Sequence, residues 1–280
     1  ILAQAQLFRP SAPPPGHCAI IARACGAMKR HAENSRRRIA IYGGAFDPPT
    51  NSHLTCAAEI VHSGCADAVW LVPCGPRPDK PGLKTPPIDR YVMTQIALNT
   101  VFSAGFPIKV SDIECFNEEA FFTYDLLSSL RDKYTDVDFS FVIGTDWLQP
   151  GTNINSWKSL NRNWKLGDPP EEKSIVTGDK LLAEFDFLVV QRPGYVVAAS
   201  PEDPTGLKAF GPRMSWLSMP DKMTFIEGNL SSTEIRKRVN LDSQESRIQE
   251  AIKSCALATI EGLVPPGVVA YIHRQGLYGK

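Results

Sequence analysis

The chain has 280 residues, enough for one large α/β domain with a substantial hydrophobic core. Hydrophobic residues make up 43% and charged residues 21%, and 30 Lys and Arg balance 30 Asp and Glu. This neutral composition predicts a soluble protein without a nucleic-acid or membrane partner, and no apolar run approaches the roughly 18 residues that span a bilayer.

Residues 1–36 form a Pro-rich and then basic segment, in which Glu33 is the only acid. This composition predicts a disordered segment of the kind found in leaders and tags. Arg-rich, acid-poor segments are also typical of organelle transit peptides, so organelle targeting is the alternative. The folded domain is expected to comprise residues 37–280, with a helical part from about residue 230 onward.

From residue 38 onward, short apolar runs alternate with helical patterns. The predicted elements are strand 39–42, helix 52–62, strand 69–72, helix 90–101, strand 108–113, helix 124–134, strand 139–143 and strand 185–191. Residues 161–180 and 194–212 are expected to be loops, Phe225 is placed on the last strand, and a final helix is expected at 268–275. The alternation predicts an α/β Rossmann-like fold, with a mainly parallel sheet and helices on both faces.

The seven cysteines and five histidines follow no metal-binding or redox pattern. The sequence contains no C-x-x-C pair, no H-x-x-x-H pair and no Cys/His cluster. This usage predicts a reducing intracellular compartment, cytoplasmic or nuclear, and no structural metal site.

The first motif, Gly43–Leu54, has the sequence GGAFDPPTNSHL and stands between a predicted strand and a predicted helix. Gly43 and Gly44 lack a Cβ and let the backbone approach a phosphate, while the helix directs free N–H groups toward an anion. His53 in the first helical turn offers an imidazole to the same anion. The sequence contains neither a P-loop nor G-x-G-x-x-G, so a P-loop or an ordinary dinucleotide site is not indicated. A tight turn followed by a capping histidine is the alternative.

The second motif begins where the strand at 139–143 ends, and it contains Gly144, Asp146 and Trp157. Ligands bind at the carboxyl ends of parallel strands, where a carboxylate can accept both hydroxyls of a ribose. Trp157 offers a face on which a pyridine ring can stack. A tryptophan that only packs in the core or on the surface is the alternative.

The third motif, Leu230–Arg238, places hydroxyl groups at the expected start of a helix. Ser232 and Thr233 can cap this helix, and Arg236 lies one turn further along the same face. Hydroxyls, free N–H groups and a guanidinium can therefore converge on one anion. An ordinary helix cap with a solvated arginine is the alternative.

The first and third motifs resemble the signatures G-G-x-F-D-P-x-[HT]-x-G-H-L and S-S-T-x-I-R of the nucleotidylyltransferase superfamily. The chain's ending, VPPGVVAYIHRQGLY, resembles that of the nicotinamide and nicotinic acid mononucleotide adenylyltransferases. Thr50 replaces the first histidine of the signature, as in eukaryotic members, and Ser52 departs from the glycine usual in bacterial members.

The resemblance implies transfer of AMP from ATP to nicotinamide mononucleotide, nicotinic acid mononucleotide or both, giving NAD or deamido-NAD and pyrophosphate. The implied ATP contacts are Gly43, Gly44, Phe46, Thr50, His53, Gly144, Asp146, Ser232, Thr233 and Arg236. The implied mononucleotide contacts are Gly44, Lys80, Thr123 and Trp157. His53, Lys80 and Arg236 are expected to be catalytic, and Mg²⁺ is expected to be bound through the ATP phosphates.

Several alternatives stay open at this point. Arg77 and Lys84 are near enough in sequence to compete with Lys80 for the mononucleotide phosphate. Another adenylyl or cytidylyl transferase of the superfamily is one alternative function, and a non-catalytic nucleotide-binding protein is another. The choice between amide and acid mononucleotide and the formation of a homo-oligomer are also open.

Overall fold

A computed structural model describes residues 36–77, 79–226, 228–242 and 258–279. The predictions for residues 1–35 lie outside these ranges, and the domain boundary at residue 37 stays a prediction. The described residues form eight strands, β1 (Arg37–Gly44), β2 (Ala68–Pro73), β3 (Ile108–Val110), β4 (Val137–Gly144), β5 (Lys158–Leu160), β6 (Ser174–Val176), β7 (Asp186–Val190) and β8 (Met214–Trp216).

Six of these strands form one parallel sheet in the order β3-β2-β1-β4-β7-β8. The strand order reverses between β1 and β4, so the carboxyl ends of these two strands form the switch point where such sheets bind ligands. β5 and β6 form a separate antiparallel pair.

The helices of the described residues are α1 (Asn51–His62), α2 (Pro87–Val101), α3 (Thr123–Lys133), α4 (Gly178–Glu184), α5 (Ser232–Asp242) and α6 (Pro266–Gln275). None of the helices in these ranges is both long and apolar enough to cross a membrane. One face of the sheet packs against α3 and α4, and the opposite face packs against α1. A further apolar cluster joins α2, α5 and α6.

The alternation of side chains along β1 explains why both faces of the sheet are covered. Ile39 and Ile41 point to the face of α3 and α4, and Ala40 points to the face of α1. All three are buried, as expected for a strand of a parallel sheet between two helical layers. The predicted α/β Rossmann-like fold is therefore confirmed.

Two predictions about strands are wrong. Phe225 lies in an irregular segment beyond β8, which is the last strand of the sheet among the described residues. Its side chain packs against the α1 side of the sheet, so its apolar character reflects burial and not strand pairing. The range 161–180, expected to be a loop, contains β6 and the start of α4, because β6 is formed by pairing with β5.

Candidate active site

A cavity of about 700 Å³ lies at the carboxyl end of the sheet, beside the switch point between β1 and β4. It brings together eight residues that the sequence assigns to the site, namely Gly43, Gly44, His53, Lys80, Thr123, Gly144, Asp146 and Trp157. These residues come from the carboxyl ends of β1 and β4, from the segments that follow β2 and β4, and from the starts of α1 and α3. Segments that are distant in sequence thus form the wall of one cavity.

His53 is held by reciprocal hydrogen bonds with Thr50, the residue that caps α1. The backbone N–H of Thr50 donates to Nδ1 of His53 at 3.0 Å, and the backbone N–H of His53 donates to Oγ1 of Thr50 at 3.4 Å. Since Nδ1 accepts a hydrogen bond, the proton of the neutral imidazole lies on Nε2.

Burial, the larger cause, and the nearby charge of Arg192 together lower the pKa of His53 from 6.5 to about 4. The imidazole is therefore neutral at pH 7. A neutral ring whose Nδ1 is an acceptor can donate one hydrogen bond, from Nε2. His53 lines the cavity, so this donor is available to an anionic ligand.

Phe46 and Thr50 contact His53 but do not line the cavity themselves. Phe46 is 1% exposed, and its ring contacts the rings of His53 and Tyr42 edge-on at centroid distances of 5.2 and 5.6 Å. Its backbone has φ of 47°, an unusual conformation for a residue other than glycine. The contact of both residues with ATP stays a prediction.

Hydrogen bonds join the third motif to the first. Nη1 of Arg236 donates to the main-chain oxygen of Asp47 at 2.5 Å, and its Nη2 donates to Oγ1 of Thr233 at 3.2 Å. The hydroxyl of Ser232 donates to the main-chain oxygen of Pro48 at 2.7 Å. The start of α5 is thus bound to the loop that leads to His53, although Ser232, Thr233 and Arg236 do not line the cavity.

Ser52, which departs from the superfamily signature, also contributes to the contact between the first and third motifs. Its Oγ accepts the backbone N–H of Leu230 at 3.2 Å. A Cβ on Gly228 would lie 2.4 Å from the same Oγ, so the chain before α5 passes directly over the serine. The hydroxyl therefore forms a hydrogen bond between the first and third motifs.

Asp146 is held at the end of β4 by Arg192, a residue that the motifs do not single out. Nη1 of Arg192 donates to Oδ2 of Asp146 at 3.0 Å. Oδ1 of Asp146 is buried and has no hydrogen-bond partner in the part of the chain that the structure describes. A buried carboxylate oxygen without a partner is costly, so it is suited to accept a ligand hydroxyl.

Trp157 lies at the cavity wall and forms T-shaped contacts with other aromatic rings. It contacts Trp147 with ring centroids 4.9 Å apart and an interplanar angle of 82°, and Phe141 at 6.4 Å and 90°. Trp147 also lines the cavity and is not predicted by the motifs. Trp157 therefore both packs against its neighbours and borders the cavity.

The segment after β2 distinguishes among the basic residues proposed for the mononucleotide phosphate. Arg77 is engaged by Asp79, with Nε–Oδ1 and Nη2–Oδ2 distances of 2.7 and 2.6 Å. Lys84 does not line the cavity. Lys80 lines it, and its side chain forms no hydrogen bond or ion pair with another described residue. The geometry thus favours Lys80 over its two competitors.

Two buried charged residues hold the loops of this region, and sequence reasoning assigns neither of them such a role. Arg90 is 1% exposed and donates to the main-chain oxygens of Ala45, Gly75 and Thr85 at 2.9, 3.2 and 3.1 Å. Glu114 accepts the N–H of Gly75 at 3.0 Å, and burial raises its pKa to about 7. Arg90 therefore joins the loop after β1 to the loop after β2.

Four residues of this region are not predicted from the sequence, and only two of them, Arg192 and Trp147, could have been recognised there. Arg192 follows the apolar strand β7 at the sheet edge that binds ligands, and Trp147 is adjacent to Asp146. Both positions could be read from the chain as candidates. Arg90 and Glu114 have no such signal, because an isolated charge in a sequence gives no indication that it is buried.

The parallel sheet and the cavity at its switch point define a nucleotidyltransferase of the cytidylyltransferase-like family, whose family model matches residues 41–238. A probable nicotinate-nucleotide adenylyltransferase of Tropheryma whipplei (strain Twist) is 32% identical over 236 residues, which cover 84% of this chain and 97% of the relative. A protein of the same description from Leifsonia xyli subsp. xyli is 30% identical over 246 residues, covering 88% and 96%.

A solved structure gives the same result. The nicotinic acid mononucleotide adenylyltransferase of Plasmodium falciparum, complexed with NaAD, has a TM-score of 0.59 and 27% identity, and the match covers 86% of this chain and 97% of that one. The chain belongs to the nicotinate-nucleotide adenylyltransferase family and is, like its relatives, an enzyme. The family that the motifs resemble is thereby confirmed.

Proposed function

We propose that the protein transfers the adenylyl group of ATP to nicotinic acid mononucleotide, releasing pyrophosphate and forming the deamido form of NAD. The observation that carries this proposal is the single cavity that His53, Lys80, Asp146 and Trp157 share. Relatives described as nicotinate-nucleotide adenylyltransferases, and a similar structure complexed with NaAD, favour the acid over the amide as substrate.

The proposed reaction is an in-line displacement at the α-phosphorus of ATP. An oxygen of the mononucleotide 5′-phosphate forms the new P–O bond, while the bond to the pyrophosphate oxygen breaks. No protein nucleophile takes part, so catalysis depends on alignment and on neutralising charge. Alignment of two bound substrates can lower the barrier by about 7 to 11 kcal/mol.

Each residue is assigned a role in this proposed reaction. Neutral His53 donates from Nε2 to the phosphates of ATP, where negative charge develops. Lys80 orients the attacking phosphate with an ammonium that forms no hydrogen bond or ion pair with a described residue. Arg236, with the hydroxyls of Ser232 and Thr233, holds the β and γ phosphates at the start of α5.

The two nucleosides are held by the second motif and by backbone contacts. The buried Oδ1 of Asp146 accepts a hydroxyl of the adenosine ribose. Trp157 stacks on the pyridine ring, an interaction worth about 1 to 3 kcal/mol by analogy with base stacking. Gly43 and Gly44 let the chain approach the phosphates, and Thr123 contacts the mononucleotide at the start of α3.

Mg²⁺ enters this proposal as a partner of ATP. In the described ranges, no group of three or more His, Cys, Asp or Glu side chains is placed to hold a metal ion. Mg²⁺ commonly binds through substrate phosphates together with one or two carboxylates and water. We assign the ion to the triphosphate, where, when bound, it would supply positive charge next to the phosphates.

The proposal is tested by incubating the protein with Mg²⁺, ATP and either nicotinic acid mononucleotide or nicotinamide mononucleotide. Pyrophosphate and the dinucleotide are measured together, and we expect equal amounts of both, formed faster with the acid. If the protein released no pyrophosphate with either mononucleotide, this result would contradict the proposal. Binding of ATP without any release would instead support a non-catalytic nucleotide-binding protein.

The same assay separates the other enzymatic alternative. With CTP in place of ATP, we expect at most a small fraction of the rate. A higher rate with CTP, or with an acceptor other than a pyridine mononucleotide, would favour another transferase of the superfamily.

A further inference from the structure

Lys80 and Lys158 differ from the other basic side chains that line the cavity. The two lining arginines are engaged in ion pairs with aspartates. The side chains of the two lysines form no hydrogen bond or ion pair with any residue that the structure describes. The cavity thus presents two cations for ligand groups, and the proposed mechanism uses only Lys80.

Lys158 faces the cavity because of the register of the β5–β6 pair. Lys158 lies opposite Val176, and Leu160 lies opposite Ser174. Side chains alternate along a strand, so Lys158 and Ser174 share one face of the pair, and Ser159 points to the other. Lys158 and Ser174 line the cavity, whereas Ser159 is 3% exposed and does not line it.

The position of this strand pair is fixed on both sides. Oδ2 of Asp125 in α3 accepts the backbone N–H of Leu160 at 2.9 Å, and Asp125 is itself buried. Trp157, which directly precedes Lys158, is packed against Trp147. The backbone of Lys158 is therefore fixed next to Trp157, the residue that we assign to the pyridine ring, and both residues line the cavity.

The chemistry of the proposed substrate matches two separate cations. Nicotinic acid mononucleotide carries a phosphate at one end and a ring carboxylate at the other, whereas the amide analogue has only the phosphate. A hydrogen bond from an ammonium to a carboxylate is stronger than one to a neutral amide. The amide also presents N–H donors, which an ammonium repels and cannot accept.

Resting on the function proposed above, the geometry points to Lys158 as the residue that selects the ring carboxylate of the mononucleotide. The hydroxyl of Ser174, on the same face of the strand pair, supplies a second donor to that carboxylate. Lys80 and Lys158 thereby bind the two anionic ends of one substrate.

The test is the ratio of kcat/KM for the acid to kcat/KM for the amide, measured in wild type and in the variant Lys158→Gln. We expect the ratio to fall about tenfold, since one charge-assisted hydrogen bond is lost. Lys158→Glu should lower the ratio further, because a carboxylate repels the acid. Lys158→Arg should retain most of the preference.

Lys165→Gln is the matched control, since Lys165 is an exposed lysine of the same region that does not line the cavity. Its ratio and its KM for ATP should equal those of wild type. An unchanged ratio in both Lys158→Gln and Lys158→Glu would overturn the assignment of Lys158 and leave the proposed function intact. A wild-type protein that prefers the amide would overturn both the assignment of Lys158 and the proposed choice of the acid as substrate. Lack of pyrophosphate release by wild type with both mononucleotides would contradict the proposed function itself.

Discussion

The guanidinium of Arg236 donates to the main-chain oxygen of Asp47 at 2.5 Å, and this bond joins the start of α5 to the loop between β1 and α1. The carboxylate of Asp47 is 1% exposed and also accepts the hydroxyl of Tyr278 at 2.6 Å. Burial and the charge of Asp47 raise the pKa of Tyr278, so this hydroxyl stays protonated and remains a donor. One buried acid therefore links the first motif, the third motif and the end of the chain.

Arg236→Ala is expected to raise KM for ATP and to lower kcat, because it removes a phosphate ligand and loosens the loop that positions His53. The free energy of unfolding should fall by about 1 to 3 kcal/mol, since buried acceptors of Asp47 lose a donor. Arg236→Lys should recover little, because an ammonium cannot bond to Asp47 and Thr233 in the same fork geometry.

Arg238→Ala serves as the control for Arg236. Arg238 lies on the same helix and pairs with Glu234, at 2.9 Å, away from the first motif. Steady-state kinetics should show a KM for ATP close to that of wild type. An Arg236→Ala variant with normal kinetics would remove this arginine from the site.

His53→Ala is expected to lower kcat by about 10² to 10³, the range found when one preorganised donor to a developing negative charge is removed. Since the pKa of His53 is about 4, the rate of wild type should show no inflection near pH 6.5 that is due to this residue. The kcat–pH profile between pH 5 and 8 checks this point. His62→Asn, on the same helix but outside the cavity wall, should leave kcat unchanged.

The pKa of His53 also predicts how stability depends on pH. The unfolded imidazole has its ordinary pKa of about 6.5 and binds a proton as the pH falls below that value, while the folded ring stays neutral down to about pH 4. The contribution of His53 is thus fully present above pH 6.5 and is lost between pH 6.5 and 4. Urea unfolding of wild type and His53→Gln at pH 5 and 7 should show a smaller loss in the variant.

The contribution of Glu114 to stability should depend on pH in the opposite direction from that of His53. Its pKa is about 7 in the folded protein, against an ordinary value of 4.5, because burial disfavours the carboxylate. The unfolded chain releases its proton first as the pH rises, so stability is lost between pH 4.5 and about 7. Glu114→Gln keeps an acceptor for the N–H of Gly75 and should be more stable than wild type at pH 8, by up to roughly 3 kcal/mol.

The comparison at pH 8 has its control at pH 4. There the carboxyl group is protonated in both states, so Glu114→Gln and wild type should differ little in their free energies of unfolding. A variant that is less stable than wild type at both pH values would show that Glu114 acts through shape or bonding and not through its charge.

The sheet and much of the cavity follow from local patterns in the sequence. The apolar strands β1 and β4 end at Gly44 and Gly144, and a parallel topology brings such strand ends to one edge, so their neighbours His53 and Asp146 can be placed together. The pairing of β5 with β6 has no comparable pattern. Each strand is three residues long, and its position depends on the contact of Leu160 with Asp125, 35 residues earlier.

The hydrogen bonds of Arg90 and Ser52 likewise could not be predicted from the sequence. Arg90 bonds to three main-chain oxygens of two loops, but this role depends on the path of those loops. Ser52 is similar, since it departs from a signature and yet gains a hydrogen bond from Leu230, which lies 178 residues away. Patterns in sequence predict elements and strand ends, whereas bonds between distant loops require the folded chain.

Gly144→Ala is expected to raise KM for ATP while the fold is retained. A Cβ at this position would lie 2.3 Å from Oδ1 of Asp146 and 2.4 Å from Cδ of Arg192, so the pair would have to move. Displacement of Asp146 removes the acceptor that we assign to the adenosine ribose. Gly105→Ala is the control, because a Cβ at Gly105 would meet no neighbour and the φ of Gly105 is not in the left-handed region. Gly151→Ala is less suitable, because the φ of Gly151 is 91° and an alanine there would be strained.

Trp157→Ala is expected to raise KM for the mononucleotide by about 10-fold, the effect of losing roughly 1.4 kcal/mol of stacking, and to leave KM for ATP nearly unchanged. Asp125→Ala should produce the same selective change at a distance, because it frees the N–H of Leu160 and loosens the strand that follows Trp157. Asp125→Asn retains an oxygen acceptor for that N–H and should recover most of the affinity. Steady-state kinetics with each substrate varied in turn separates the two KM values. A Trp157→Ala variant with a wild-type KM for the mononucleotide would place the pyridine ring elsewhere, and failure of Asp125→Asn to restore it would show that the carboxylate acts by its charge.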